Sequence, residues 1–196
     1  LRHDKVTQTY TAHPLIRNHY LTMLTQEEVQ EKEAHDQIKD YYLSIAGDTP
    51  SNPTLYDLRP LIEVVHHACQ AGAYDEAWEI YWKRICQESR YVLMHQLNSY
   101  ETELFLMLEL FPNRDTSQEP EVSAAGNKKN WIINTLGFCL MTLGRLRESV
   151  PFYERAAKSY LEAEDWSNAS NIYQNLAGLH TSLGSLVESA EAAHQA

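Results

Sequence analysis

The sequence has no long apolar run and no secretory leader. No stretch approaches the roughly 18 apolar residues that a membrane-spanning helix needs, and the mean hydropathy of the 196 residues is -0.47. The chain does not open with a cationic segment followed by an apolar one, so nothing indicates secretion. We therefore expect a cytoplasmic protein with no membrane partner.

Basic residues are also scarce. The chain carries 16 lysine and arginine residues against 27 aspartate and glutamate residues, which gives a formal net charge of -11. Its largest basic cluster is Lys128-Lys129. A surface of this charge repels a polyphosphate backbone. We therefore expect no direct nucleic-acid partner.

The cysteines do not suggest a disulfide framework. Cys69, Cys86 and Cys139 are odd in number, lie far apart and sit in apolar stretches with helical spacing. A free thiol in such a stretch behaves as a small hydrophobic side chain. The sequence therefore predicts reduced, buried cysteines, in keeping with a cytoplasmic location.

What the sequence does contain is an internal repeat near its end. Seven residues recur forty positions apart: Leu136, Leu143, Gly144, Leu146, Glu148, Ser149 and Ala156 reappear as Leu176, Leu183, Gly184, Leu186, Glu188, Ser189 and Ala196. A fixed period of this size, on small and apolar residues with helical spacing, is typical of stacked helical hairpins that leave one curved face free. The repeat favours recognition over catalysis.

The rest of the sequence predicts helices, with one short strand from the alternation at Val6, Gln8, Tyr10 and Ala12. A helix is expected to follow over residues 15–24.

Local end signals place the next helices. Thr25 and Glu28 form a capping box that opens a helix running to about Ile45. Asp57 is the expected cap of a helix that tolerates Pro60 in its first turn and ends at Gly72.

These elements divide the chain into four parts. Residues 1–46 form an N-terminal segment, residues 55–111 form degenerate helical hairpins, and residues 127–196 hold the regular repeats. Residues 112–126, rich in proline and acidic side chains, are predicted to be a mobile loop. Pro151 lies inside a predicted helix, which should therefore bend or begin late.

The repeated residues resemble the tetratricopeptide repeat over about residues 57–196. The signature positions of that repeat match Leu136, Gly137, Leu140, Gly144, Leu146, Ser149, Tyr153 and Ala156, then Leu176, Ala177, His180, Gly184, Leu186, Ser189, Ala193 and Ala196, and more weakly Val64, Val65, Ala68, Gly72, Tyr74, Ala77 and Tyr81. The resemblance implies an all-α fold, a right-handed α-solenoid of antiparallel helical hairpins. The period of forty departs from the usual thirty-four of the family, so the hairpin helix from Leu146 onward is expected to be longer than usual.

The N-terminal segment resembles a second family. Residues 10–20, with His13-Pro14-Leu15, are similar to the end of the winged-helix domain in signal-transduction ATPases of the NB-ARC and NACHT type, where a helical repeat array follows. The resemblance implies the sensor region of a switch that controls an ATPase or effector domain in the same polypeptide. The absence of an initiator methionine and an apolar C-terminal end agree with a piece of a longer chain. The phosphate-binding loop itself is missing, since Gly126-Asn127-Lys128-Lys129 lacks its first glycine and its hydroxyl residue.

Enzyme chemistry finds little support. His66-His67-x-Cys69 places potential ligands on one helix, but adjacent side chains point about 100° apart and no second cluster completes a tetrahedral set. The shared helix also gives Cys69 and a neighbouring histidine poor geometry as nucleophile and base. We therefore expect no catalytic residues, no metal and no cofactor.

A ligand would bind the concave face formed by the first helix of each hairpin. That face is predicted to hold Ile62, His66, Cys69, Gln70, Trp131, Asn134, Phe138, Met141, Asn171, Gln174, Gly178 and Thr181. Packing between repeats explains Trp131 and Phe138 equally well. Because the face lacks lysine and arginine, with Arg59 the only nearby candidate, acidic C-terminal peptides are not the expected ligand.

The sequence thus predicts a protein or peptide recognition module, either the sensor region of a signalling ATPase or a free-standing tetratricopeptide adaptor.

Overall fold

The computed structural model describes residues 2–4, 9–11, 28–123 and 127–196. Two short strands, β1 (Arg2–Asp4) and β2 (Thr9–Thr11), pair antiparallel with Arg2 opposite Thr11. Of the residues predicted to form one strand, Tyr10 lies in β2 and the others lie outside the described residues. The predicted helix over 15–24, the Thr25 cap and most of the winged-helix-like segment also lie outside them. The sequence patterns do not predict β1.

The remaining described chain is predominantly helical, so the predicted all-α class is confirmed. In chain order the helices are α1 (Glu28–Ile45), α2 (Leu55–Gln70), α3 (Tyr74–Ile80), α4 (Tyr100–Glu109), α5 (Lys128–Thr142), α6 (Leu146–Glu162), α7 (Trp166–Leu183) and α8 (Leu186–Gln195). Single π-helical turns occur at Tyr81–Ile85 and Val92–Gln96, and 3-10 turns at Glu88–Arg90 and Pro112–Arg114. No helix among the described residues combines the length and apolar character that crossing a bilayer requires.

Helix α2 begins three residues earlier than a cap at Asp57 would allow, so that prediction is wrong. Thr54 is the N-cap: its Oγ1 accepts from the Asp57 N–H at 3.3 Å, and its own N–H donates to Asp57 Oδ2 at 2.8 Å. Asp57 is therefore the reciprocal partner in a capping box. The earlier start places Pro60 beyond the first turn. Pro151 is likewise well inside α6, which nevertheless begins at Leu146 and not late.

Glycines end three of the helices in the left-handed conformation. Gly72, Gly144 and Gly184 have φ of +82°, +76° and +78°, values that cost glycine little because it has no Cβ. The next helix begins two residues after each glycine. Such short turns send the chain back along the preceding helix, which confirms the predicted glycine-terminated helix ends.

Consecutive helices make the most extensive contacts. Helix α5 packs on α6, α6 on α7, and α7 on α8, while α1 and α3 both pack on α2. Gly137 allows α5 and α6 to approach closely, because a Cβ at this position would lie 3.3 Å from Tyr153 Cγ. A single cluster of buried hydrophobic side chains runs from Leu58 to Ala192. The core is therefore continuous along the array.

The loop between α4 and α5 is attached to two helices. Arg155 on α6 donates to the carbonyl oxygens of Thr116 at 2.8 Å and Gln118 at 2.7 Å. At its far end the Ser123 N–H donates to Asp75 Oδ1 at 2.8 Å, at the start of α3. The mobility expected for this loop stays a prediction, and these contacts argue against it.

Candidate functional site: a tryptophan-lined cavity

A cavity of about 590 Å³ lies where α3 and its π-helical continuation approach α5, α6 and α7. Its lining comprises Trp78, Glu79, Trp82, Tyr91, Asn127, Lys128, Trp131, Asn134, Tyr160 and Asn168. Of the four tryptophans in the chain, Trp166 alone is outside this lining, and it is 65% exposed. We call this space the tryptophan cavity.

The aromatic rings of the tryptophan cavity form two stacked pairs that meet nearly at a right angle. Trp78 and Trp82 are parallel within 13°, with centroids 5.7 Å apart. Tyr91 and Trp131 are parallel within 14° at 6.2 Å. Trp131 stands at 85° to Trp82 with centroids 5.5 Å apart. Stacked and edge-to-face contacts of this kind orient each ring, so the walls are preorganised.

An unusual backbone brings Tyr91 into this wall. Tyr91 has φ +46° and ψ +51°, a left-handed conformation that bulky side chains rarely adopt. It lies between the two π-helical turns, a few residues after Tyr81–Ile85 and directly before Val92–Gln96. A left-handed non-glycine residue costs about 1–3 kcal/mol, and π-helical turns occur frequently at functional sites. Left-handed residues also occur outside the lining, for example Asn98 and Glu164, so the strain at Tyr91 supports the cavity as a functional candidate only together with the aromatic lining.

Polar groups of both signs border the cavity. Glu79 Oε2 lies 2.7 Å from Lys83 Nζ, and Glu79 Oε1 lies 3.5 Å from Lys128 Nζ. The hydrogen bond from Lys83, with the charges of both lysines, lowers the pKa of Glu79. Asn134 Oδ1 is buried and makes no hydrogen bond within the described protein. Because an unpaired buried acceptor costs about 1–3 kcal/mol, a ligand donor that reached this oxygen after the Asn134 side chain turned toward the cavity would gain affinity.

The structure places the residues of the predicted concave face in several different environments. Trp131 and Asn134 line the tryptophan cavity. Phe138 is half-buried and packs edge-to-face on Tyr100 at 6.0 Å, and Met141 Sδ lies 3.9 Å from the Tyr153 hydroxyl. Phe138 and Met141 therefore pack between helices.

The predicted residues on α7 lie on its exposed side. Asn171, Gln174, Gly178 and Thr181 are exposed. Thr181 Oγ1 also donates to the Ala177 carbonyl at 2.8 Å. This side of α7 is open to a ligand but does not line the tryptophan cavity.

Ile62 belongs to a separate apolar pocket of about 460 Å³ between α2 and α4. Its lining comprises Leu55, Tyr56, Arg59, Ile62, Glu101, Thr102 and Phe105. Arg59 is the one basic residue that the sequence analysis predicted near the concave face. The structure therefore separates Ile62 and Arg59 from Trp131 and Asn134.

His66 and Gln70 surround a buried carboxylate. Gln70 Nε2 donates to Glu109 Oε2 at 2.9 Å, His66 Nδ1 lies 3.1 Å from the same oxygen, and Arg114 pairs with the other oxygen. Burial acts to raise the pKa of Glu109, but contact with His66 and the charge of Arg114 outweigh it, so the pKa is lowered. These two predicted face residues therefore stabilise a core carboxylate.

A histidine pair joins α1 to α2. His35 Nδ1 and His67 Nδ1 are 2.8 Å apart, so one nitrogen donates and the other accepts, and at least one ring must be neutral. Tyr42 stacks on His67 within 11° at 5.9 Å. Burial, followed by the charge of His66, lowers the pKa of both members, that of His67 to about 4.

This pair should make stability depend on pH. A histidine whose pKa is lowered from 6.5 to about 4 in the folded state stabilises the fold above pH 6.5, and that contribution is lost as the pH falls toward 4. Relative to a His35→Asn, His67→Asn double variant, the unaltered protein should lose roughly 1–2 kcal/mol over this range, allowing for solvent screening. Urea unfolding at pH 7 and pH 4.5 measures the change. An identical pH dependence in both proteins would contradict the assignment.

The three cysteine thiols are not activated as nucleophiles. Cys69, Cys86 and Cys139 are free and buried, as predicted, and burial raises the pKa of each thiol, that of Cys86 to about 12. They are therefore poor nucleophiles. Within the described ranges, no group of three or more histidine, cysteine, aspartate or glutamate side chains is placed to hold a metal ion.

Sequence reasoning found only part of this site. It identified Trp131 and Asn134 but not Trp78, Trp82 or Tyr91. The spacing of Trp78 and Trp82, four residues apart on one helical face, was a usable signal. No sequence signal predicted Tyr91, since the position of its ring in the cavity depends on a left-handed backbone.

Comparison of the chain with protein-family models, with curated proteins and with solved structures finds no significant match.

Proposed function

We propose that this chain is a non-catalytic recognition module whose stacked helical hairpins present the tryptophan cavity to a protein or peptide ligand. One observation carries the proposal: preorganised aromatic walls adjoin a buried amide oxygen, on Asn134, that has no hydrogen-bond partner among the described residues. Tryptophan and tyrosine supply large contact areas at low entropic cost, and they are enriched among residues that dominate binding energies.

The helix order supports a solenoid resembling tetratricopeptide repeats. Each helix from α5 to α8 packs chiefly on its sequence neighbours, and glycines with left-handed φ at Gly144 and Gly184 join the hairpins. A linear arrangement of this kind exposes an extended face for recognition. We propose the right-handed superhelical form because the repeated residues resemble tetratricopeptide repeats.

We further propose that the module is the sensor region of a cytoplasmic signalling ATPase. The support is the short β1–β2 pair that precedes the helices, together with the similarity of residues 10–20 to the end of a winged-helix domain. Ligand binding to the repeats would then be coupled to an ATPase or effector domain in the same polypeptide.

Selection of peptides from a random twelve-residue display library tests the recognition function. We expect enriched peptides whose binding weakens at least tenfold, about 1.4 kcal/mol, in Asn134→Ala. Because this substitution removes an unpaired buried acceptor, thermal stability should not fall. Gln174→Ala is the matched control, since it removes an exposed amide outside the cavity.

Two results would oppose this function. Failure to enrich any peptide sensitive to Asn134→Ala or Trp131→Ala would exclude the cavity as a peptide site. Equal losses of thermal stability and of binding in Asn134→Ala would show instead that Asn134 is structural.

A further inference from the structure

The tryptophan cavity also points to the chemistry of its ligand. We infer that it accepts the guanidinium group of an arginine side chain from a partner peptide, an inference that rests on the proposed recognition function. The inference depends on the ring faces, the unpaired amide oxygen and the carboxylate that border one space.

The aromatic walls favour a cation. The face of an aromatic ring carries partial negative charge, and tryptophan is the strongest of the aromatic side chains in attracting cations. Three indoles and Tyr91 line this cavity. The rings cover one another in part and Trp78 is only 4% exposed. A planar group can therefore stack on the accessible parts of the half-buried Trp82, Tyr91 and Trp131 rings.

The polar groups favour a cation that donates several hydrogen bonds. Asn134 Oδ1 lacks a donor within the part of the chain that the structure describes, and the Glu79 carboxylate lies on the same lining. A guanidinium has five N–H donors in one plane and stacks on aromatic faces while binding a carboxylate. A quaternary ammonium has no N–H and would leave Asn134 unpaired. Arginine therefore fits this combination better than a fully methylated amine.

Two lysines, Lys83 and Lys128, would repel a cationic ligand and compete with it for Glu79. Lys83 is 64% exposed and forms an i,i+4 pair with Glu79, a contact that contributes little. Lys128 holds the Glu79 carboxylate only loosely, at 3.5 Å, and lies 3.4 Å from Ser123 Oγ. A charge-assisted, two-pronged bond from arginine is shorter and stronger than the Lys128 contact. The net charge of -11 also attracts a basic partner.

The Trp166→Phe variant provides a direct measurement, because its three remaining indoles all line the cavity. The probe is a capped Gly-Arg-Gly tripeptide, and the matched control contains citrulline, which keeps the shape of arginine without its charge. Nuclear magnetic resonance of the indole N–H groups follows each titration. We expect the arginine probe to shift these signals and to bind at least tenfold more tightly than the citrulline probe.

Variants separate a cationic ligand from other kinds. Glu79→Gln and Asn134→Ala should each weaken the arginine probe several-fold, and Lys128→Gln should strengthen it. Equal binding of arginine and citrulline, no indole shift up to about 10 mM probe, or weaker binding in Lys128→Gln would overturn the inference.

The display selection distinguishes failure of this inference from failure of the recognition function. Peptides that depend on Asn134 and Trp131 but lack arginine would leave the recognition function standing and refute the guanidinium site. The absence of any such peptide would refute both.

Discussion

At pH 8 the Glu103→Gln variant is expected to be about 3 kcal/mol more stable to unfolding than the unaltered protein, and at pH 4.5 nearly equal to it. Glu103 lies on α4 with 1% of its surface exposed. The hydroxyl of Tyr81, itself fully buried, donates to one oxygen of the Glu103 carboxyl group. No salt bridge holds this carboxylate among the described residues.

The pH dependence follows from the buried carboxyl group. Burial raises the pKa of Glu103 from 4.5 to about 7, and the hydrogen bond from Tyr81 offsets only part of that effect. Between these two values the folded protein retains a proton that the unfolded chain releases. Stability is therefore lost as the pH rises from 4.5 to 7 and then stays level, with a total loss of about 3 kcal/mol. Glutamine is neutral throughout and keeps an acceptor for Tyr81.

Urea unfolding at both pH values measures the effect, and Glu109→Gln is the control. Glu109 is another buried glutamate, but its pKa is lowered and its charge is paired with Arg114. Its replacement should destabilise the protein at pH 8, because Arg114 loses its anionic partner. If Glu103→Gln raised the free energy of unfolding by the same amount at pH 4.5 and pH 8, the assignment of a raised pKa to Glu103 would be wrong.

Gly137→Leu is expected to lower the free energy of unfolding by about 3 kcal/mol or more. A Cβ at Gly137 would already lie 3.3 Å from Tyr153 Cγ and 3.4 Å from Phe152 Cβ. Tyr153 is fully buried and cannot retreat into solvent. A leucine would therefore push α5 away from α6 and disturb the packing of the hairpin that begins the regular repeats.

The matched control is Gly178→Leu on α7. Gly178 is also within a helix, but a Cβ there would meet nothing within 4 Å. Leucine has a better helix propensity than glycine, so this variant should gain about 0.5–1 kcal/mol. Thermal and urea unfolding of the two variants compare them. A similar small effect at both positions would show that α5 and α6 do not pack as closely as the structure indicates.

Much of the fold could be predicted because its signals are local. Gly72 and Gly144 have a left-handed backbone because each ends a helix in a tight turn. The residues that follow each glycine in the sequence indicate that turn. The forty-residue repeat marked the turns at Gly144 and Gly184, and two of its apolar members, Leu136 and Leu176, are buried. The error at Asp57 was also local, since Thr54 and Asp57 form one capping box that can be misread by three residues.

The site was less predictable because its members come from separate helices. His66 and Gln70 have the spacing of a ligand-binding face, yet both contact Glu109, a carboxylate on α4. His35 meets His67 across 32 positions of the sequence. Such pairs depend on how two helices cross, and no periodicity within either helix contains that information.

The sequence by itself determined that this chain folds into α-helices separated by tight turns, because helix periodicity and glycine stops act within a few residues. Only the tertiary structure decided that Trp78, Trp82, Tyr91 and Trp131 form one cavity. The π-helical turns at Tyr81–Ile85 and Val92–Gln96 each add a residue to a turn, and the left-handed Tyr91 redirects the chain between them. The first π-helical turn packs against α2, the second packs against α4, and Tyr91 stacks on Trp131 of α5. Interactions within the segment alone therefore do not specify these changes of direction.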